Sequence, residues 1–313
     1  MIVLSLFDGM ACGYTALKRA GIPVTKYYAS EIDPHAIQIA KKNHPDIVHL
    51  GDVENWYLWD IEKPDLIIGG SPCQGFSFAG AQLAFADPRS KLFFDYVHIR
   101  DHFKPDFFLL ENVKMKKEYL DIISQYMGVD PMFINSNLVS AQNRQRFYWF
   151  NWEAPMPADR GLFLKDILVD DFSDDALLDK GQLNRLATST DISKRFSVID
   201  PPKAACMTAR QYANWKGTFV TVKQRGRGNN PGFVKSMDKS PSLTSSRQEQ
   251  NLSISTDNVI YRKLTPIECE RLQTLPDDYT AGVSNTQRYR MLGNGWTVDV
   301  IAHLFASMPH DLI

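Results

Sequence analysis

The chain has 313 residues, is 44% hydrophobic and 12% aromatic and carries a formal net charge of −1, which leaves room for one large domain or two modest ones around a sizeable core. No apolar run approaches the length of a membrane span, and Met1 leads straight into the apolar stretch from Ile2 to Phe7 without a basic leader; both features argue against a membrane partner or secretion. The near-neutral total conceals a division: residues 180–255 hold 13 Lys and Arg against 4 Asp and Glu, residues 1–179 hold 17 against 25, and residues 256–313 hold 5 against 7. A basic segment on an acidic chain can bind a polyanion by releasing counterions, although a solvated loop face would read the same way.

In chain order, short apolar runs predict strands at Ile2–Leu6, Lys26–Ser30, Ile47–Leu50, Leu66–Gly69 and Phe107–Glu111, with a late pair around Phe133–Val139 and Phe147–Trp152. Amphipathic stretches between them predict helices over Tyr14–Ala20, Pro34–Asn43, Lys91–His102 and Lys116–Met127. Strands alternating with helices imply a parallel α/β sheet with crossover connections. From Asn151 to about Asp257 the alternation is lost and Pro, Gly, Asn and Ser become frequent. Helical periodicity returns at Thr265–Leu275, with Thr265 as N-cap and Pro266 in the first turn, and again at Thr297–Ser307. The division expected is therefore residues 1–154, 155–257 and 258–313.

The strand–turn–helix Phe7-Asp-Gly-Met-Ala-Cys-Gly13 brings a tight turn against a nucleotide-like ligand. Glu31 ends the second strand and Asp52 follows the third; such carboxylates can accept ribose hydroxyls and an adenine amino group. This suits an adenosyl cofactor without phosphates, and no phosphate-binding glycine loop with Lys is present. Four cysteines, Cys12, Cys73, Cys206 and Cys269, show neither paired spacing nor a metal pattern, so no metal is expected and a reducing, cytoplasmic setting is. Cys73 alone sits in an irregular Gly/Pro-rich loop, Gly69-Gly-Ser-Pro-Cys-Gln-Gly-Phe-Ser-Phe78, beyond the fourth strand. That setting suits a thiolate nucleophile better than a bystander cysteine in a turn. Glu111 ends an apolar strand, where it can share a proton with a ring nitrogen or merely cap a helix. In Gln142-Asn-Arg-Gln-Arg146 two alternate arginines precede an aromatic strand and can face one side together.

In this order, Phe7-x-Gly9, Pro72-Cys73, Glu111-Asn112-Val113, Gln142-x-Arg144-x-Arg146, Arg271-Leu272-Gln273 with Pro276, and Gly293-Asn294 resemble the DNA cytosine-5 methyltransferase family. The resemblance covers the chain apart from residues 155–255. It implies a doubly wound, Rossmann-like mixed sheet of seven strands for the S-adenosylmethionine-dependent catalytic domain (1–154). A small irregular target-recognition domain (155–257) and a returning C-terminal segment (258–313) complete the expectation.

The resemblance further implies that Cys73 attacks C6 of a cytosine flipped out of double-stranded DNA, that Glu111 protonates N3, and that Arg146 contacts O2 and steadies Glu111 with Arg144 nearby. For the cofactor, S-adenosylmethionine, it implies that Phe7 stacks on adenine, Glu31 binds ribose, Asp52 binds the adenine amino group and Asn294 lines the pocket. Asp8, Gly9, Gly13, Ile32, Val53, Pro72 and Trp296 complete that set. Gln74 and Ser77, in a lid over residues 74–89, are expected to touch DNA. Arg210, Arg225, Arg227 and Arg247 are candidate guanine readers, Arg247 first among them.

Two departures are visible: Ala11-Cys12 stands where the family carries glycine, and Gly295-Trp296 follows Asn294 where Ser or Ala and Val are usual. Leu6-Phe-Asp-Gly9, Pro276-Asp-Asp-Tyr-Thr280, Val283-Ser-Asn285 and Leu292-Gly-Asn-Gly-Trp-Thr-Val298 resemble the animal de novo branch, while the short chain is similar to bacterial and phage enzymes. A monomer acting at the nucleoid, with a cognate restriction endonuclease as candidate partner, is expected. Cys206-Met-Thr208 keeps open a transfer-RNA methyltransferase, and a non-catalytic DNA-binding regulator is the remaining alternative.

Overall fold

In the computed structural model, which describes residues 1–71, 88–173, 176–178, 197–209, 217–222 and 261–309, the apolar runs of the first 150 residues become one seven-stranded sheet. Its strands are β1 (Ile2–Leu6), β2 (Lys26–Ser30), β3 (Val48–Gly51), β4 (Leu66–Gly69), β5 (Phe107–Val113), β6 (Met132–Asn135) and β7 (Gln145–Phe150), in the order β3-β2-β1-β4-β5-β7-β6. β1 to β5 are mutually parallel, and β7 runs antiparallel to both β5 and β6. Helices α1 (Cys12–Arg19), α2 (Pro34–Asn43), α3 (Pro88–Phe103) and α4 (Lys117–Met127) occupy the connections, and α5 (Pro266–Leu272), α6 (Asn285–Asn294) and α7 (Val298–Ala306) follow late in the chain. The architecture is the doubly wound mixed sheet that the sequence predicts. No helix among the described residues is long and apolar enough to cross a membrane.

Alternation along the strands divides the core between the two faces. Val3, Leu66, Ile68 and Leu109 pack with α1, α2 and α7, whereas Leu4, Leu6, Ile67 and Leu110 pack with α3 and α4. The late helix α7 lies against the early helix α1. The Asp299 carboxylate forms ion pairs with Arg19 of α1 and with Arg160, and Trp152 Nε1 donates to the Leu304 carbonyl at 2.9 Å. A second, three-stranded sheet has the order β10-β9-β8, from Ser197–Ile199 (β8), Gly217–Thr221 (β9) and Tyr261–Lys263 (β10). Leu164, Ile167, Ala204, Met207 and Val220, from the stretch with no predicted rhythm, join the same buried cluster as α1 and α7.

Helix α2 keeps its predicted limits because Asp33 caps it, accepting from His35 N–H at 2.9 Å, and Pro34 starts it. Helix α5 is shorter than predicted. Thr265 and Glu268 form its capping box, but the helix stops at Leu272, where the Gln273 side chain turns inward and Thr274 takes a left-handed φ of 55°. Helix α6 is not predicted at all: it buries only Tyr289, Met291, Leu292 and Gly293, too few for an apolar stripe, although Ser284 supplies an N-cap.

A buried polar cluster joins the first half of the chain to the last. Gln142 Nε2 donates to the Leu272 carbonyl at 2.9 Å and to Gln273 Oε1 at 3.0 Å, while its Oε1 accepts from Met207 N–H at 3.3 Å. Gln273 Nε2 donates to the carbonyls of Leu292 at 2.6 Å and Gly295 at 3.1 Å. Arg144 Nη1 donates to the carbonyls of Met207 and Gly293 at 3.3 and 3.2 Å, and its Nη2 to that of Gly295 at 2.8 Å. Gly293 fits here for lack of a Cβ, which would lie 2.2 Å from Thr208 C and 2.4 Å from Ala209 N. These are main-chain atoms that cannot swing aside. Gly293→Ala should therefore act as overpacking and lower the midpoint of thermal unfolding by about 5–10 °C. A melting curve unchanged from wild type would show that α6 and the residue 206–209 segment do not meet this closely.

Candidate active site

The β1–β4 junction is where the strand order reverses, and a cavity of about 440 Å³ opens at the carboxyl ends of these strands. Its floor is the turn between β1 and α1. Phe7, Gly9 and Ala11 all adopt left-handed φ values, 58°, 61° and 64°, and for Phe7 and Ala11 this conformation costs about 1–2 kcal/mol each. The turn is held by Glu31 at the end of β2. One oxygen accepts from Gly9 N–H at 2.8 Å, and the other accepts from Ile32 and Asp33 N–H, both at 2.8 Å. The amides of Asp8 and Ala11 are likewise spent, on the carbonyls of Ser30 and Asp8. Three amides of the turn, those of Asp8, Gly9 and Ala11, are thus already hydrogen-bonded, unlike those of a phosphate-binding nest.

The charges of the lining agree. Asp8, Glu31, Asp33, Asp52 and Glu111 face the cavity with Arg144, Arg146 and Arg290, and no lysine lines it. Arg290 lies 3.4 Å from Asp33, Arg146 pairs with Glu111, and Arg144 is spent on the carbonyls described above. Among the described residues Glu31 and Asp52 are left without a cationic partner in the lining, so this end of the cavity is electronegative. Asp52 also caps the following turn, accepting from Glu54 N–H at 3.0 Å. Asp8 is 9% exposed; its Oδ1 accepts from Tyr27 Oη at 2.7 Å, and its Oδ2 meets no donor among the described residues. Burial pushes its carboxyl up to about 7, against hydrogen bonds from Ser5 and Tyr27 that pull it down, and the Glu31 charge adds to the rise.

At the other end of the cavity lies Glu111. The antiparallel register sets Glu111 of β5 opposite Tyr148 and Val113 opposite Arg146, so Arg146 stands diagonally across the ladder on the same face. Arg146 Nε approaches Glu111 Oε1 to 2.7 Å, off its N–H axis, with both side chains nearly buried. Burial, the largest single influence, lowers the Arg146 pKa, but the Glu111 carboxylate together with Cys206 and Tyr148 outweighs it and the net direction is up. Trp296 Nε1 donates to Glu111 Oε2 at 3.1 Å. Asn112 Nδ2 reaches the Ser71 carbonyl and Oγ, each at 3.4 Å, and so ties the end of β5 to the end of β4.

Of the residues predicted to form the site, Phe7, Asp8, Gly9, Gly13, Glu31, Ile32, Asp52, Val53, Glu111, Arg144, Arg146, Asn294 and Trp296 all line this one cavity. Arg144, nearby as expected, is buried to 2% exposure and donates to main-chain carbonyls at the cavity wall, and burial lowers its pKa. Pro72, Cys73, Gln74, Ser77, Arg210, Arg225, Arg227 and Arg247 lie outside the described residues. Sequence reasoning missed Arg290, which sits on the unpredicted α6, and Gly70, whose only signal is the doublet Gly69-Gly70.

The family profile described as C-5 cytosine-specific DNA methylase matches residues 1–310. The chain is 28% identical to the Type II methyltransferase M.NlaX of Neisseria lactamica over 99% of this chain and 96% of the relative. It is 27% identical to the Type II methyltransferase M.FnuDI of Fusobacterium nucleatum, over 98% and 93%. Among solved structures it is similar in fold to the Dnmt2 methyltransferase of S. pombe, with TM-score 0.66 and 20% identity over 97% of this chain and 96% of that one.

The pH behaviour of Asp8 is testable on the ligand-free protein. Its folded pKa, about 7, lies above the ordinary 3.8, so the folded state binds this proton more tightly than the unfolded chain. Asp8 therefore favours folding fully below about pH 4, and that contribution is lost as pH rises towards about 7. Thermal melts across this window should show Asp8→Asn gaining on wild type as pH rises. A constant difference would mean that Asp8 is not buried as a neutral acid.

Proposed function

The chain belongs to the C-5 cytosine-specific DNA methylase family, and from that premise we propose that Cys73, Glu111 and Arg146 carry out cytosine C5 methylation in this protein, with S-adenosylmethionine as the methyl donor. The observation that carries the reading is the buried Glu111–Arg146 pair at one end of the cavity, across from the Glu31-pinned turn. The residues fit the cofactor. Adenosylmethionine bears a sulfonium and an ammonium and no phosphate, which matches the Glu31 and Asp52 carboxylates that face the cavity. Phe7, Ile32 and Val53 would hold the adenine, Glu31 the ribose and Asp52 the adenine amino group. Asp8, Gly9, Gly13, Pro72, Asn294 and Trp296 would bound the remainder.

When bound, the cofactor supplies an electrophilic methyl group. The protein must make cytosine C5 nucleophilic, and the ring must first leave the DNA stack, at a cost of a few kcal/mol. Cys73, two residues along the chain from Ser71, adds as thiolate to C6, which pushes an electron pair towards N3. Glu111 supplies the proton there, so the ring does not build up negative charge. Arg146 holds the carboxylate in place and meets the base O2. After C5 has reacted, loss of its proton to a base and expulsion of the Cys73 thiolate restore the aromatic ring, and N3 returns its proton to Glu111. Residues 155–257 form the target-recognition region, with Arg247, Arg210, Arg225 and Arg227 as guanine readers and Gln74 and Ser77 on the DNA side of the base. The names of the N. lactamica and F. nucleatum relatives support a place beside a restriction endonuclease in the same system, with the methyltransferase acting as a monomer at the nucleoid.

The test incubates the purified chain with tritiated S-adenosylmethionine and either mixed-sequence duplex DNA or total transfer RNA. Label is expected in DNA only, lost with Cys73→Ser and reduced by about 100- to 10,000-fold with Glu111→Gln, since general acid–base catalysis is worth that much. Undiminished labelling by Cys73→Ser would sink the covalent route. Label in transfer RNA alone would move the substrate.

A further inference from the structure

The sequence places Trp296 with the cofactor, but its one polar atom points at Glu111. Its Nε1 donates to Glu111 Oε2 at 3.1 Å, while the other oxygen of that carboxylate lies 2.7 Å from Arg146 Nε. The two contacts come from independent elements. Arg146 is on β7, whereas Trp296 is on the short bridge between α6 and α7. That bridge is itself fixed. The Gly295 carbonyl accepts from Arg144 Nη2 at 2.8 Å and Gln273 Nε2 at 3.1 Å, and Thr297 Oγ1 donates to Gln273 Oε1 at 2.9 Å.

The indole is also wedged between two glycines. A Cβ on Gly13 would lie 3.5 Å from Trp296 Cζ3, and one on Gly70 would lie 3.0 Å from both Trp296 Nε1 and Glu111 Oε2. An indole N–H is a donor only, so it can meet the carboxyl group in a single sense. Without that donor, the terminal torsion of Glu111 is broad and the carboxyl plane is set by Arg146 alone.

We propose that Trp296 is a positioning residue for Glu111: it fixes the carboxyl plane so that one oxygen faces the base, and the bare Gly70 leaves room for the pair. The proposal rests on the reading of Glu111 as the proton donor to N3. Trp296 does not itself touch the reacting atoms. Its position between the cofactor turn at Gly13 and the acid at Glu111 makes its ring a shared wall, which separates a contact that binds from one that orients.

Two readouts of the full chain distinguish orientation from cofactor binding. Trp296→Phe keeps a ring but has no N–H. Single-turnover methyl transfer at saturating DNA and S-adenosylmethionine should slow by about 10- to 100-fold, the worth of a hydrogen bond to a charged group. The calorimetric Kd for S-adenosylmethionine should change by less than about threefold. In a Glu111→Ala background the same substitution should cost little more, because the group that it serves is gone. Gly70→Ala, which crowds the same two atoms, should slow transfer likewise while leaving the Kd in place. A raised Kd with a normal rate at saturation would make Trp296 a cofactor wall only and overturn the proposal. Equal losses on wild-type and Glu111→Ala backgrounds would overturn it as well. Full activity of Glu111→Ala itself would instead remove the premise about Glu111, and the role of Trp296 with it.

Discussion

The geometry of the site depends on a few side-chain amides and one guanidinium buried behind it. Gln142, Arg144 and Gln273 are at most 2% exposed, and a buried polar group is costly unless its hydrogen-bonding capacity is met. Theirs is met almost wholly by main-chain groups of other segments: the carbonyls of Met207, Leu272, Gly293 and Gly295, and the amide of Met207. Because each bond crosses between stretches far apart in sequence, the cluster acts as a register pin. It fixes the α6–α7 bridge against the start of β7, and so the distance between the cavity wall and Glu111. An arginine solvated by carbonyls, without a carboxylate, is an unusual use of a charge. It gains directionality, since three carbonyls must converge on one planar fork.

The cavity divides its chemistry by charge. Around the β1–α1 turn the amides of Asp8, Gly9 and Ala11 are consumed internally, and the carboxylates of Glu31 and Asp52 face the cavity. At the β5 end a carboxylate and a guanidinium neutralise one another at close range, with both side chains nearly buried. The first arrangement favours positive charge in a ligand. The second holds a carboxyl group in a fixed pose beside a cation. Both lie at the carboxyl edge of one sheet, so rigid strands set their spacing, and loop conformation does not.

The sheet was largely legible in the sequence. The limits of β1, β2, β4 and α2 coincide with their apolar periodicity, and Glu31 and Asp52, which line the cavity, stand out in the sequence by their place at strand ends. What was not legible depended on neighbours in space. Arg144 and Arg146 are alike in sequence, yet one is committed to carbonyls and the other to Glu111, because the register of β7 and the path of residues 206–208 decide it. Helix α6 hides because it buries only Tyr289, Met291, Leu292 and Gly293, too few for an apolar stripe, with Gly293 at the closest approach to main chain. Gly70 acquires a meaning only once Trp296 is known to pass over it.

The clasp between α1 and α7 also bears on how the chain is made. Arg19 and Asp299 stand 280 residues apart in sequence, and α7 covers the face of the sheet on which α1 lies. A chain emerging from the ribosome in order has α1 and α2 to cover part of that face of β1 and β4 early, and completes the cover only when Val298–Ala306 is synthesised. High sequence separation slows the search for such contacts, and a bare apolar sheet face meanwhile invites association. This face of the core is therefore completed late, and a chain cut short before α7 would lack Val298, Val300, Ile301, Leu304 and Phe305 from it.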